Sequence, residues 1–156
     1  SFLNVLCKRA AEDWPVDILQ NLIEMVNYSE DIEPDSLIFS VHKESANLSC
    51  DELRQASVNC VQGYTFMAIA RLLWYHSNIF EQFKVTLENA VENKNPAILF
   101  SVMSCVAPLY NIDKQFANFL FDKLLERDLR TLAAEQAWDL LCCFYKANPD
   151  FYADRL

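Results

Sequence analysis

Residues 64–83 decide the fold, and they read YTFMAIARLLWYHSNIFEQF. Here an apolar run ends in Trp74, a short polar break follows, and Phe80 arrives six residues after the tryptophan. The same succession occurs twice more, so the leading aromatics lie 36 and 35 residues apart. The later pairs are Tyr110 with Phe116 and Tyr145 with Phe151. A fixed period of about 20 to 50 residues predicts stacked supersecondary units.

The match between the units extends beyond the aromatic pairs. Large apolar residues stand seven positions before each leading aromatic, smaller ones stand four before, and phenylalanines follow nine after the first two. These residues are Met67, Met103 and Trp138; Ala70, Val106 and Leu141; and Phe83 and Phe119. Because recurrence in register is what packing between units requires, we predict that the aromatic pairs lie in the core.

Glycine occurs once in 156 residues, at Gly63. Tight hairpins and phosphate-binding loops depend on glycine, so the chain is predicted to be all-helical, without a nucleotide-binding loop. Ser49 and Glu52 form a capping-box pattern that predicts a long helix over residues 51–76. Gly63 would lie inside that helix, where a missing side chain lets another helix approach. Asn95-Pro96 predicts the start of a helix that runs to about Tyr110, with Pro108 in its last turn.

Short connections between the predicted helices indicate antiparallel neighbours within one structural domain. The predicted units are a first helix pair over 1–27, an acidic insertion loop over 28–50, a second pair over 51–93, a third over 95–127 and a truncated fourth over 131–156. Since the chain lacks an initial Met and stops early in a new helix, we expect it to be a fragment of a longer protein.

The period and the apolar register resemble those of HEAT-like and armadillo-like α-solenoids. The resemblance covers residues 49–156 well and residues 1–27 loosely. It implies antiparallel helix pairs stacked as a short right-handed α-solenoid, used as a non-catalytic scaffold for protein–protein interaction. Terminal repeats normally need polar caps. Because such a stack has open ends, we expect the chain to self-associate through them.

The charge of the chain limits the classes of partner that it is expected to bind. Net charge is −9, and no block of basic residues is present, which argues against nucleic acid and against anionic membrane surfaces. The expected partner is a protein with a basic segment, or another domain of the parent chain. The six cysteines are predicted to be reduced, buried thiols, which favours a cytoplasmic location.

The loop over residues 28–50 is the segment most suited to partner binding, because it joins many acids to a short apolar island. Its candidate residues are Glu30, Asp31, Glu33, Asp35, Leu37 and Phe39. The competing interpretation is an acidic spacer whose apolar island packs on its own domain.

Catalytic and metal-binding patterns are weak, and we predict no enzyme, no cofactor and no metal. Two carboxylate pairs have helical spacing, but a solvated helix face explains them, although Asp139 has apolar neighbours that favour a place near a groove. The pairs are Glu135 with Asp139 and Asp150 with Asp154. His76 is predicted to lie at a helix C-terminus, in a structural role, and the sequence offers His42 neither a nucleophile nor an orienting carboxylate. Of Cys142 and Cys143, one is expected to point away from the core.

Two alternatives to the scaffold stay open. The apolar, glycine-poor composition is similar to that of the helical sensor arms in large NTPases of the STAND class. A small helical enzyme using the Asp139 region or His76 is the other, and it would require those groups to meet in one polar pocket.

Overall fold

The computed structural model describes residues 2–28 and 47–153, and every regular element in these ranges is helical. The prediction of an all-α fold is therefore confirmed for this part of the chain. The α-helices are α1 Phe2–Lys8, α2 Val16–Asn27, α3 Cys50–Asn59, α4 Val61–Tyr75, α5 Phe80–Ala90, α6 Pro96–Met103, α7 Val106–Ile112, α8 Lys114–Arg127, α9 Ala137–Ala147 and α10 Pro149–Ala153. Two 3₁₀ turns, Ser77–Ile79 and Leu129–Ala133, precede α5 and α9.

The helix starts follow the capping signals of the sequence. The Ser49 side chain accepts from the Glu52 backbone N–H, and the Glu52 carboxylate accepts from the Ser49 N–H at 2.7 Å, which confirms the predicted capping box. The Asn95 side chain caps α6, with Pro96 in its first turn, as predicted. Asp113 accepts from two backbone N–H groups, so α8 begins at Lys114.

The predicted single helix over residues 51–76 is wrong, because the chain breaks at Cys60. This residue is extended, with φ −105° and ψ 148°, and its Sγ accepts from the Gly63 N–H at 3.2 Å. Gly63 thus lies in the first turn of α4. A Cβ there would meet the Ser57 backbone O at 2.2 Å and Ser101 Oγ at 2.9 Å. The close approach expected at the glycine is confirmed, and it involves the end of α3 as well as α6.

The predicted helix from residue 95 to residue 110 is also wrong. It divides into α6 and α7, with the break at residues 104–105. Pro108 consequently lies in the first turn of α7, where its missing N–H needs no partner. In one continuous helix the same ring would clash with the preceding turn.

The helix predicted to begin at Thr131 likewise differs. Thr131 lies in a 3₁₀ turn, and α9 begins only at Ala137. Between them Ala134 is extended, with ψ 155°, which ends the 3₁₀ turn, and Gln136 is left-handed, with φ 67°, directly before the helix.

The core forms around α4, which packs against α1, α2, α3, α6 and α7. Ring contacts then connect elements that are distant in sequence. Phe80 and Phe116 lie 5.2 Å apart between centroids, and Tyr110 and Phe144 lie 5.5 Å apart. The start of α5 is thereby joined to α8, and α7 to α9.

Candidate functional site

The repeated aromatics divide into a buried and an exposed set. Phe80 and Phe116 are buried, whereas Trp74 is 42% exposed and Tyr145 is 43% exposed. The prediction that all of these rings lie in the core is therefore wrong for the leading aromatics of the first and third units. Tyr110 and Phe151 are half-buried.

The flanking positions behave in the same uneven way. Ala70, Val106 and Leu141 are all buried, as their shared position predicts. Trp138 is 61% exposed and Phe119 is 40% exposed, although both match buried residues of another unit. The position four before each aromatic therefore faces the core in every unit, while the outer positions depend on what packs beside them.

The loop residues predicted for partner binding lie outside the described residues. They are Glu30, Asp31, Glu33, Asp35, Leu37 and Phe39. The same holds for His42 and Asp154.

The candidate catalytic groups do not meet. Glu135, Asp139 and Asp150 are exposed, and a position of Asp139 near a helix–helix groove stays a prediction. His76 Nε2 lies 2.8 Å from the Ala10 carbonyl oxygen, a contact that ties α4 to the end of the first helical segment. In the described part of the chain, no group of three His, Cys, Asp or Glu side chains is placed to hold a metal ion.

None of the six cysteines, all of which lie in the described ranges, forms a disulfide. Only Cys105 is buried, and its thiol donates to the Phe66 carbonyl oxygen at 3.4 Å. The prediction of six buried thiols is wrong, and both Cys142 and Cys143 are exposed. Burial raises the pKa of the Cys105 thiol well above its ordinary value.

The largest of the described cavities is an open apolar groove of about 700 Å³, which we call the α2 groove. It is formed by the start of α1, the outer face of α2 and the start of α4. Its lining residues are Phe2, Ile18, Asn21, Glu24, Met25, Tyr28 and Val61.

Two contacts hold the walls of the α2 groove in place. The Gln62 side-chain amide donates to the carbonyl oxygens of Val26 at 3.0 Å and Tyr28 at 2.6 Å, which fixes the end of α2 against the first turn of α4. The Phe2 ring meets Trp14 edge-on, with centroids 6.4 Å apart. These contacts hold the end of α2 and the Phe2 ring, which form two of the groove's walls, in place.

The α2 groove carries negative charge only. Glu24 is its one charged lining residue, and no Lys or Arg lines it. Within residues 2–28 and 47–153, no salt bridge involves Glu24. An apolar floor with an uncompensated carboxylate on its rim suits an apolar ligand surface with a cation beside it.

Sequence reasoning missed this groove, although a signal for it exists. Seven of the 12 residues of α2 are apolar, which is more than one buried stripe needs. They are Val16, Ile18, Leu19, Leu22, Ile23, Met25 and Val26. Leu19, Leu22 and Val26 are buried, and two of the other four, Ile18 and Met25, line the groove.

A second, smaller cavity of about 220 Å³ lies on the other side of α1. The repeated stripe of the first unit, Met67, Ala70 and Trp74, forms part of its wall. Of these three residues only Ala70 is buried, so the stripe runs from the core to the wall of a cavity.

No family model, no curated protein and no solved structure matches this chain. In residues 2–28 and 47–153, none of the helices combines the length and the apolar character that crossing a bilayer requires.

Proposed function

We propose that the chain is a non-catalytic helical-repeat scaffold of the HEAT-like or armadillo-like kind, which binds a protein partner. The α2 groove is the observation that carries this proposal. It is the largest described cavity, it is open and apolar, and it contains no nucleophile, no histidine and no paired carboxylates. Such a surface is suited to holding a polypeptide and not to chemistry.

The equivalent positions of the aromatic pairs support the repeat. Each leading aromatic lies in the last turns of α4, α7 or α9, and each phenylalanine lies in the first turn of the following helix. The Phe80–Phe116 and Tyr110–Phe144 contacts then bridge successive units. Contacts between successive units are what a linear stack of helix pairs uses for its stability. The turn before α9 also contacts the second unit, since Arg54 donates to the Ala133 carbonyl oxygen at 3.1 Å.

The chemistry of the α2 groove favours an amphipathic helix with basic residues along one flank. Phe2, Ile18 and Met25 offer the apolar surface that receives a partner's i, i+3, i+4 and i+7 side chains. Glu24 would pair with a Lys or Arg of that flank, and the net charge of −9 would speed the approach of a basic segment.

The absence of disulfides in the described residues supports a cytoplasmic role. None of the six cysteines is in a disulfide, and Cys142 and Cys143 are exposed at adjacent positions of α9. Thiols of this kind persist in reducing compartments.

The experiment is a selection from a display library of amphipathic helical peptides of about 20 residues, roughly 30 Å when helical, with randomised polar flanks. The selected peptides should be basic on one flank. Their affinity should fall at least tenfold for Met25→Asp, because this change puts a charge on the groove floor.

The matched control is Val85→Asp, which puts the same charge on an exposed valine of α5, 64% exposed and outside the groove. It should leave the affinity unchanged. Peptides without a basic preference, or peptides that bind Met25→Asp as well as they bind the parent, would contradict the proposal.

A further inference from the structure

The second cavity brings together four parts of the chain that lie far apart in the sequence. It is bounded by α1, α4, the α6–α7 break and the turn before α9. Its lining residues are Cys7, Tyr64, Met67, Ala70, Arg71, Trp74, Ser104, Glu135 and Gln136. We call it the Arg71 cavity, and it shares no lining residue with the α2 groove.

Opposite charges meet in this cavity without neutralising each other. Arg71 and Glu135 both line it, yet no salt bridge joins them or involves either with any other described residue. A guanidinium presents a planar fork of donors that matches a carboxylate, and a carboxylate accepts from an ammonium group. The cavity therefore offers one partner for an anion and one for a cation.

The remaining wall is part apolar and part polar. Met67, Ala70 and Trp74 form an apolar stripe along α4. Tyr64 and Ser104 add hydroxyl groups. Burial raises the pKa of the Cys7 thiol, so this group stays neutral near pH 7 and adds no competing charge.

The backbone at the edge of the cavity is unusual. Gln136 is the one residue in the described ranges with a positive φ, at 67°. A residue with a side chain adopts this conformation at a cost, and such outliers concentrate at ligand sites. Here the left-handed turn lets Glu135 and Gln136 line the cavity while Ala137 is buried at the start of α9.

We propose that the Arg71 cavity binds a zwitterionic small molecule of the α-amino-acid class. The ligand carboxylate contacts Arg71, its ammonium group contacts Glu135, and its side chain lies on the Met67–Ala70–Trp74 stripe. The volume of about 220 Å³ agrees with this size, because pockets for drug-sized ligands hold roughly 300–1,000 Å³. This inference is independent of the α2 groove and of the partner proposed for it.

The first test is isothermal titration of the protein with L-leucine, L-methionine and L-phenylalanine, each beside its N-acetyl and its amide derivative. At least one free amino acid should bind in the millimolar range or better. Both derivatives should bind at least tenfold more weakly, because each lacks one of the two charges.

Variants locate the site. Arg71→Gln and Glu135→Gln should each weaken binding at least tenfold, and both positions are exposed, so the fold should persist. Lys94→Gln and Glu88→Gln change the net charge by the same amounts at exposed positions outside the cavity, and they should leave binding unchanged.

Cys7 supplies a second readout. Saturating amino acid should slow its alkylation several-fold, followed residue by residue by mass spectrometry, whereas the exposed Cys142 and Cys143 should react at unchanged rates. Absence of binding by all three amino acids, equal binding of the singly charged derivatives, or unchanged Cys7 alkylation would each overturn the proposal.

Discussion

Gly63 shows how a single residue sets the packing of three helices. Its position in the first turn of α4 lets the end of α3 and the side chain of Ser101 on α6 come within contact distance. The sequence could predict that another helix approaches closely here, because a glycine inside a helix costs stability and close packing is what would compensate for it. It could not predict the break at Cys60, because that break depends on the Cys60 sulfur accepting from the Gly63 N–H in the folded chain.

Gly63→Ala should destabilise the protein, although alanine is the better helix former by about 1 kcal/mol. The added Cβ would lie 2.2 Å from the Ser57 carbonyl oxygen, a backbone atom that cannot rotate away. We expect the free energy of unfolding in urea to fall by about 1–3 kcal/mol. Gln82→Ala, at an exposed position of α5, is the control and should change it by less than about 0.5 kcal/mol. A Gly63→Ala variant more stable than the parent would contradict the close approach.

Phe116 and Phe119 lie on the same helix, α8, but only Phe116 is buried. Phe116 is 6% exposed and packs on Phe80, whereas Phe119 is 40% exposed. Phe116→Ala should lower the free energy of unfolding by about 3–5 kcal/mol, because it leaves a cavity between α5 and α8. Phe119→Ala should lower it by less than half as much. Equal losses would show that the repeated phenylalanines do not connect the units.

Cys105 should make the protein less stable at alkaline pH. Burial holds its pKa above the ordinary value of 9.0, so the unfolded chain loses this proton first, and rising pH then favours unfolding. Above pH 9 each pH unit should remove up to about 1.4 kcal/mol from the free energy of unfolding. Cys105→Ala should reduce this slope between pH 8 and pH 10, whereas Cys142→Ala, at an exposed thiol, should not. Identical slopes in both variants would contradict the role of the buried thiol.

At the scale of the elements, the helical type and several helix starts could be read from the sequence, whereas the number of helices could not. Capping at Ser49, Asn95 and Asp113 depends on local side chains, and local side chains are visible in a sequence. The division at Cys60 uses a cysteine sulfur as the cap, and cysteine is not among the usual N-cap residues. The division at residues 104–105 has no side-chain cap at all, so no capping signal marks it in the sequence.

The contact of α10 with α8 includes one buried hydroxyl group beside the packing of the Phe121 and Tyr152 rings. Tyr152 is 1% exposed, and its O–H lies within hydrogen-bond distance of Asp122 and Asn118 on α8. Tyr152→Phe should lower the free energy of unfolding by about 1–3 kcal/mol, since it removes a donor from a partly buried carboxylate. Tyr145→Phe removes the hydroxyl from a ring that is 43% exposed, and it should have little effect. An unchanged Tyr152→Phe variant would show that ring packing alone holds α10.

At the scale of the whole molecule, the aromatics that recur in the sequence lie near helix ends or helix starts, but their burial differs. Trp74 and Tyr145 occupy matching positions near helix ends and are exposed, while Tyr110 between them is half-buried against Phe144. Burial depends on what lies beside each unit, and a periodic sequence does not contain that information. The α2 groove and the Arg71 cavity were missed for the same reason, because each is made by side chains from three or more elements.

Hydrogen exchange by mass spectrometry, with and without a selected basic helical peptide, tests the central claim most directly. A helix lying in the α2 groove should slow exchange in α1, in α2 and in the first turn of α4, and it should leave α8 and α9 unchanged. Protection confined to α8 and α9, or spread evenly over the described helices, would contradict the assignment of this groove as the partner-binding surface.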